Sequence, residues 1–123
     1  MNAYTRVWRA DGRELPLRVK RCDTFGCRLR GLTFRRSLAE DEALLFVEAS
    51  ESRLGAAIHM LFVFMPIGVV WMDGGGLVVD KGVARPFVPY YAPRCPAQYF
   101  LEGPPALVDW VEIGEMLYLE PVQ

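Results

Sequence analysis

The sequence predicts a mainly β (α+β) protein built as one domain over residues 1–123, and three observations carry that expectation. The chain has 123 residues, 52% of them apolar, enough for one core and too few for two. Its apolar residues recur in short runs, several alternating with polar or basic ones, the period of a strand with one face in water. Gly, Pro and Asp punctuate those runs at turn spacing, and no repeat or low-complexity tract interrupts them.

From the N-terminus, Tyr4 to Arg9 and Leu15 to Arg21 alternate apolar with basic residues on either side of Asp11-Gly12, which predicts a hairpin. Asp23 or Thr24 then caps a short helix. Phe25, Leu29 and Leu32 recur there at helical spacing, Arg28 and Arg30 point outward, and Gly31 offers a stop. Ser37 to Glu42 is a polar, acidic connection. Ala43 to Val47 is a compact apolar run suited to a buried strand, closed by a loop over Glu48 to Arg53.

Leu54 to Met72 carries nineteen residues without a formal charge, inside the window of roughly 17–25 residues for a membrane-spanning helix. Pro66 removes a backbone donor in mid-segment, Gly68 weakens a helix further, and the residues around them are β-branched or aromatic. The segment therefore predicts two strands split near Pro66 and folded back into the core, and no membrane partner is expected. Asp73-Gly74-Gly75-Gly76 is a hairpin turn leading into a strand from Leu77 to Asp80.

Between Arg85 and Pro96 there are four prolines in twelve residues, so that stretch predicts a stiff loop bearing aromatic side chains. Gln98 to Glu102 reads as a strand. Pro104 and Pro105 open a short helix over Ala106 to Val111, Gly114 ends that region, and Met116 to Glu120 forms the last strand.

Charge is segregated along the chain. Residues 1–36 hold 10 Lys+Arg against 3 Asp+Glu, and residues 37–123 hold 4 against 12. Basic residues interrupted by apolar ones at structural spacing point to neutralisation inside one domain, and no specific nucleic-acid binding is expected. Three cysteines, Cys22, Cys27 and Cys95, follow a start with no visible signal peptide. Their odd number leads to the expectation of reduced thiols and a cytoplasmic location.

Taken together, Asp23-Thr24-Phe25, Arg28-Leu29-Arg30-Gly31-Leu32, Arg35-Arg36-Ser37-Leu38, Glu40-Asp41-Glu42, Leu44-Leu45-Phe46, Ile58-His59-Met60, Pro66-Ile67, Val69-Val70-Trp71-Met72-Asp73, Ala92-Pro93 and Tyr99-Phe100-Leu101-Glu102 resemble the family called domain of unknown function 192, over about residues 23–120. The resemblance implies a single compact distorted β-barrel-like domain with one or two short helices, and it supplies no reaction. It also implies a basic or amide residue between His59 and Met65 and an acid shortly after the proline. Here that stretch is Leu61-Phe62-Val63-Phe64-Met65, and Gly68 stands where the acid is expected.

Several residues are candidates for function. His59 is the sole histidine, so a general-base scheme of the usual kind passes through it, with a cysteine or Glu102 as partner. Placed on a strand beside Leu61 and Val63, it equally suits a buried imidazole bonded to the backbone. Arg28, Arg30, Arg35 and Arg36 form a candidate anion-binding group, and pairing with the acidic loop that follows is the alternative. Tyr90, Tyr91 and Arg94 on the proline-stiffened loop, with His59 and Glu102, form the candidate binding surface. Cys22-x4-Cys27 lacks the tight ligand spacing of a structural zinc site, so neither metal nor cofactor is expected. The expectation is a non-catalytic binding or protein-interaction module acting as monomer or homodimer on an unknown protein or small molecule. The alternative is an enzyme or small-ligand protein using His59.

Overall fold

The computed structural model describes residues 4–22, 27 and 31–122. Among the described residues seven strands make one sheet: β1 (Tyr4–Arg9), β2 (Arg18–Cys22), β3 (Glu42–Ser52), β4 (Ile67–Met72), β5 (Val78–Ala84), β6 (Ala97–Gly103) and β7 (Leu117–Val122), and a short helix, α1 (Leu107–Trp110), precedes the last strand. Their order across the sheet is β5-β4-β6-β3-β2-β1-β7. All pairs are antiparallel except β2 and β3, which are parallel. A parallel pair needs a long crossover, and residues 23–41 provide it.

The predicted N-terminal hairpin forms, with Tyr4 opposite Lys20 and Thr5 opposite Val19. The β4–β5 hairpin turns at Asp73–Gly76, where the Asp73 Oδ1 accepts from the Gly75 and Leu77 N–H groups. Gly76 sits at φ +95°, and a Cβ there would lie 2.5 Å from the Leu117 carbonyl oxygen, so only glycine lets that turn approach β7. The sheet stays open in its strand order. Its two edges nevertheless meet at one corner, where Leu77 bridges Met116 and the Val78 N–H donates to the Glu115 carbonyl at 2.9 Å. The result is a β-rich, barrel-like body without full closure.

The centre of the sheet, around β4 and the adjoining parts of β3 and β6, is buried on both sides. Phe46, Val69, Trp71 and Phe100 face one apolar cluster, and Leu45, Val70, Met72 and Leu101 face another that includes Leu107 of α1. Strand β4 is consequently buried at every position, as its continuous apolar run requires.

Two expectations for the middle of the chain are corrected. Strand β3 does not end at Val47 but continues to Ser52, with an irregular register between Val47 and Ser52 against β6. Only the last six residues of the uncharged segment, Ile67–Met72, are a strand. Residues 54–66 form no strand pair with β4 but a loop laid over the first cluster, burying Ala56, Ile58, Met60 and Val63. The Trp71 indole N–H donates to the Ala56 carbonyl at 2.8 Å and pins it there. The apolar content is explained by burial on the sheet and not by membership in it.

The cysteine expectation is also corrected. Cys22 and Cys27, with Cα atoms 5.4 Å apart, form a disulfide, and only Cys95 is a free thiol among the described residues. An odd count had pointed to three reduced thiols, but the end of β2 and the residues beyond it bring two within bridging distance. No described helix is long and apolar enough to cross a membrane. The expected helix at Asp23–Leu32, with Arg28 and Arg30, lies mostly outside the described residues. Gly31 itself stands at φ +50°, its N–H donating to the Cys27 carbonyl at 2.7 Å.

A candidate binding surface of exposed aromatic rings

Three loops meet at one end of the molecule: the segment after Gly31, the 54–66 loop and the proline-rich 85–96 loop. Backbone hydrogen bonds lace them together. The Phe34 N–H donates to the Phe62 carbonyl, the Phe87 N–H to the Met60 carbonyl and the Met60 N–H to the Val88 carbonyl, at 2.8, 2.8 and 2.9 Å. Ile58 and Tyr91 exchange a pair of such bonds.

On this frame stand four phenylalanines that face outward, Phe34, Phe62, Phe64 and Phe87, with relative exposures of 61, 53, 46 and 50%. Phe34 stacks on Phe62 with centroids 5.2 Å apart, and Phe87 meets Phe62 and Phe64 edge-on at 6.3 and 5.6 Å. Phe34, Phe62 and Phe87 lie at φ +67°, +59° and +65°, and they are the described non-glycine residues with positive φ. A bulky side chain in that left-handed region is an outlier costing on the order of 1–3 kcal/mol, and such outliers cluster at functional sites. Held at that φ, the three residues point their rings away from the core.

The sequence reading missed these four residues. An apolar side chain in an uncharged run is by default a core residue, and nothing in the run marks which positions turn out. The one legible sign is that Leu61-Phe62 breaks the alternation of the buried Ile58, Met60 and Val63.

The residues expected to form a binding surface are not brought together. His59 is exposed on the loop, neither in a strand nor buried, and its Nδ1 accepts from the Leu61 N–H at 3.2 Å. Tyr90 is exposed and Tyr91 half-buried, its hydroxyl accepting from the Arg85 N–H at 2.9 Å. The Arg94 side chain pairs with Asp80 at 3.6 Å while its N–H donates to the same carboxylate. Glu102 is buried within β6, opposite Leu44 on one side and Val69 on the other. No hydrogen bond joins it to His59. Burial pushes its carboxyl up to about 8. The disulfide removes Cys22 and Cys27 as nucleophiles. Among the described residues no group of three or more His, Cys, Asp or Glu is placed to hold a metal ion.

Of the anion-binding candidates, Arg28 and Arg30 lie outside the described residues. Arg35 lines a cavity of about 560 Å³ with Arg18, Lys20 and Tyr4, but it makes a two-pronged ion pair with Glu42, one arm at 2.9 Å. That contact holds the Glu42 carboxyl below its usual range. Arg18 is likewise paired, with Asp41 at 2.9 Å. Arg36 is exposed.

Comparison with known proteins agrees with this architecture. The family model DUF192, described as Uncharacterized ACR, matches residues 6–117 and so includes the N-terminal hairpin that the resemblance had left out. A UPF0127 protein of Thermococcus kodakarensis is 40% identical over 98 residues, which are 80% of this chain and 60% of that protein. One of Thermococcus sibiricus is 41% identical over 80% of this chain and 63% of its own length. The chain thus spans about three fifths of these two relatives. A UPF0127 protein of Pyrococcus furiosus is 35% identical over 86% of this chain and 90% of its own length. Two crystal structures share the fold. A candidate transcription regulator of Sinorhizobium meliloti 1021 has a TM-score of 0.76 at 23% identity, covering 97% of this chain and 94% of that one. A protein of unknown function from Novosphingobium aromaticivorans has a TM-score of 0.75 at 18% identity, covering 94% and 83%. On the extent of the family match, and on relatives more than 30% identical, the chain belongs to the DUF192 family.

Proposed function

We propose that this protein is a non-catalytic binding module whose contact surface is the aromatic end built by Phe34, Phe62, Phe64 and Phe87. One observation carries the reading: three of these residues hold a strained backbone conformation whose effect is to expose a ring. Folding alone rewards burial of such rings by about 1.5–3 kcal/mol each. Residues that forgo this while adding strain are those expected where a protein meets something else. The surface is also pre-organised, because the backbone bonds between the three loops fix it before any partner arrives. Tyr90 and His59, expected as binding residues from the sequence, belong to the same two loops.

The rival enzymatic reading draws no support from the residues it named. His59 is bonded to its own loop, Cys22 and Cys27 are bridged, Glu102 is enclosed by the sheet, and the free Cys95 makes no hydrogen bond to His59 among the described residues. The test is site-specific photo-cross-linking in cells, with benzoyl-phenylalanine at position 62 or 87 and, as control, at the exposed Tyr118 on β7. Discrete adducts from 62 and 87 but not from 118 are expected. Equal labelling at all three positions, or none, overturns the reading.

A further inference from the structure

We infer that the partner of this aromatic end is an anionic lipid surface, met peripherally; the inference rests on the binding reading above and deepens it. Three features of the surface select hydrocarbon and anionic headgroups over a protein.

The first is that much of the backbone hydrogen bonding at its centre is already spent between the loops. Protein interfaces carry about one hydrogen bond per 100–200 Å², and strand-type recognition needs free backbone donors. Here the Phe34, Met60 and Phe87 N–H groups and the Met60, Phe62 and Val88 carbonyls are all engaged between the loops. The centre presents rings and the half-exposed Leu61, which hydrocarbon accepts without loss.

The second is charge. The segments 31–39, 54–72 and 83–97 contain no Asp or Glu at all, although the chain holds 15. Arg36, two residues after Phe34, and Arg85, two before Phe87, are exposed and have no ion-pair partner among the described residues. An apolar tip rimmed by these two arginines, on loop segments that carry no acid of their own, is complementary to anionic headgroups over a shallow hydrocarbon layer.

The third is form. The rings project from loop tips that bonded neighbours hold in place, the geometry that lets aromatic side chains enter the interfacial layer while the sheet stays in water. The sequence led to the expectation of no membrane partner, argued against a spanning helix in the 54–72 segment; a peripheral contact through loop tips departs from that expectation while needing no such helix.

The experiment is co-sedimentation of the full chain with vesicles of phosphatidylcholine alone, or with 30% phosphatidylglycerol, at low and at 1 M salt. Binding to the anionic vesicles that weakens with salt is expected, with little binding to phosphatidylcholine. Phe62→Asn/Phe87→Asn should lower partitioning about tenfold or more, and Arg36→Glu/Arg85→Glu, which leaves the rings untouched, about fivefold per arginine. Thermal melts establish that each variant is folded. Failure of the wild type to bind anionic vesicles, or binding unchanged in both double variants, overturns the lipid inference. If vesicles fail while positions 62 and 87 give discrete protein adducts in cells, the binding reading stands and the lipid inference falls. If neither occurs, both fall.

Discussion

Glu102 and Glu42 illustrate how the same side chain takes opposite roles. Glu102 lies between Leu44 and Val69 with burial as the dominant influence, and titrates at about 8 against an ordinary 4.5. Between those values the unfolded chain has released the proton and the folded chain still holds it. Stability therefore falls as pH rises, by about 1.4 kcal/mol per pH unit, and the loss is complete above the folded value. Glu42, bonded to Arg35, shifts downward, so its contribution is present above its unfolded pKa and is lost as pH falls through the lowered one. Stability should peak near pH 5. Urea midpoints from pH 4 to 9 check this: Glu102→Gln should flatten the alkaline decline and leave the acid limb unchanged. A wild type as stable at pH 8.5 as at pH 5 contradicts the assignment. The position of Glu102 on a strand was legible in the sequence; its burial among apolar neighbours was not, because a terminal Glu in Gln98–Glu102 reads equally as an outward side chain.

At the scale of elements, strands and turns marked by local chemistry were readable, and the element defined by long-range packing was not. Asp11-Gly12 and Asp73–Gly76 announced both hairpins, and the prolines announced the irregular 85–96 loop and the start of α1. The 54–66 loop gave the opposite result. Ala56, Ile58, Met60 and Val63 are apolar because they cover a face of the sheet, and a covering loop has no period of its own. Its backbone bonds to residues 85–91 and to Phe34 become visible only when the chain is folded.

Gly68 shows the same long-range dependence. A Cβ there would lie 2.6 Å from the Pro104 carbonyl and 3.2 Å from the Leu107 Cβ, so β4 touches the turn leading to α1 without room for a side chain. The acid that the family resemblance led one to expect does not fit this backbone. Gly68→Ala should destabilise the protein by about 1–3 kcal/mol through overpacking, read as a lowered urea midpoint at constant slope. A neutral result means that the helix turn is looser than described.

For the whole molecule, the charge segregation visible in the sequence resolves in part as pairing between the two regions. Arg9 of the basic N-terminal region pairs with Glu115 at 3.0 Å, Arg18 with Asp41 and Arg35 with Glu42. This expectation could be formed because alternating basic residues mark strands, and strands bring distant sequence together. The disulfide could not be foreseen, since connectivity depends on where the chain runs after β2. Reduction of the Cys22–Cys27 bridge should cost about 2 kcal/mol on the loop-entropy account. That corresponds to a fall in melting temperature on the order of 10 °C for a domain of this size, and an unchanged melt would argue against the bridge.

On the proposed function, the exposed phenylalanines serve contact and not the fold. Equilibrium unfolding of Phe62→Asn and Phe87→Asn tests this most directly, because asparagine tolerates positive φ and the ring contacts it removes are worth about 0.5–1.5 kcal/mol, comparable to the strain it relieves. Each variant should unfold within about 1 kcal/mol of the wild type or above it; a loss of about 3–5 kcal/mol, the cost of emptying a core phenylalanine site, would contradict the account.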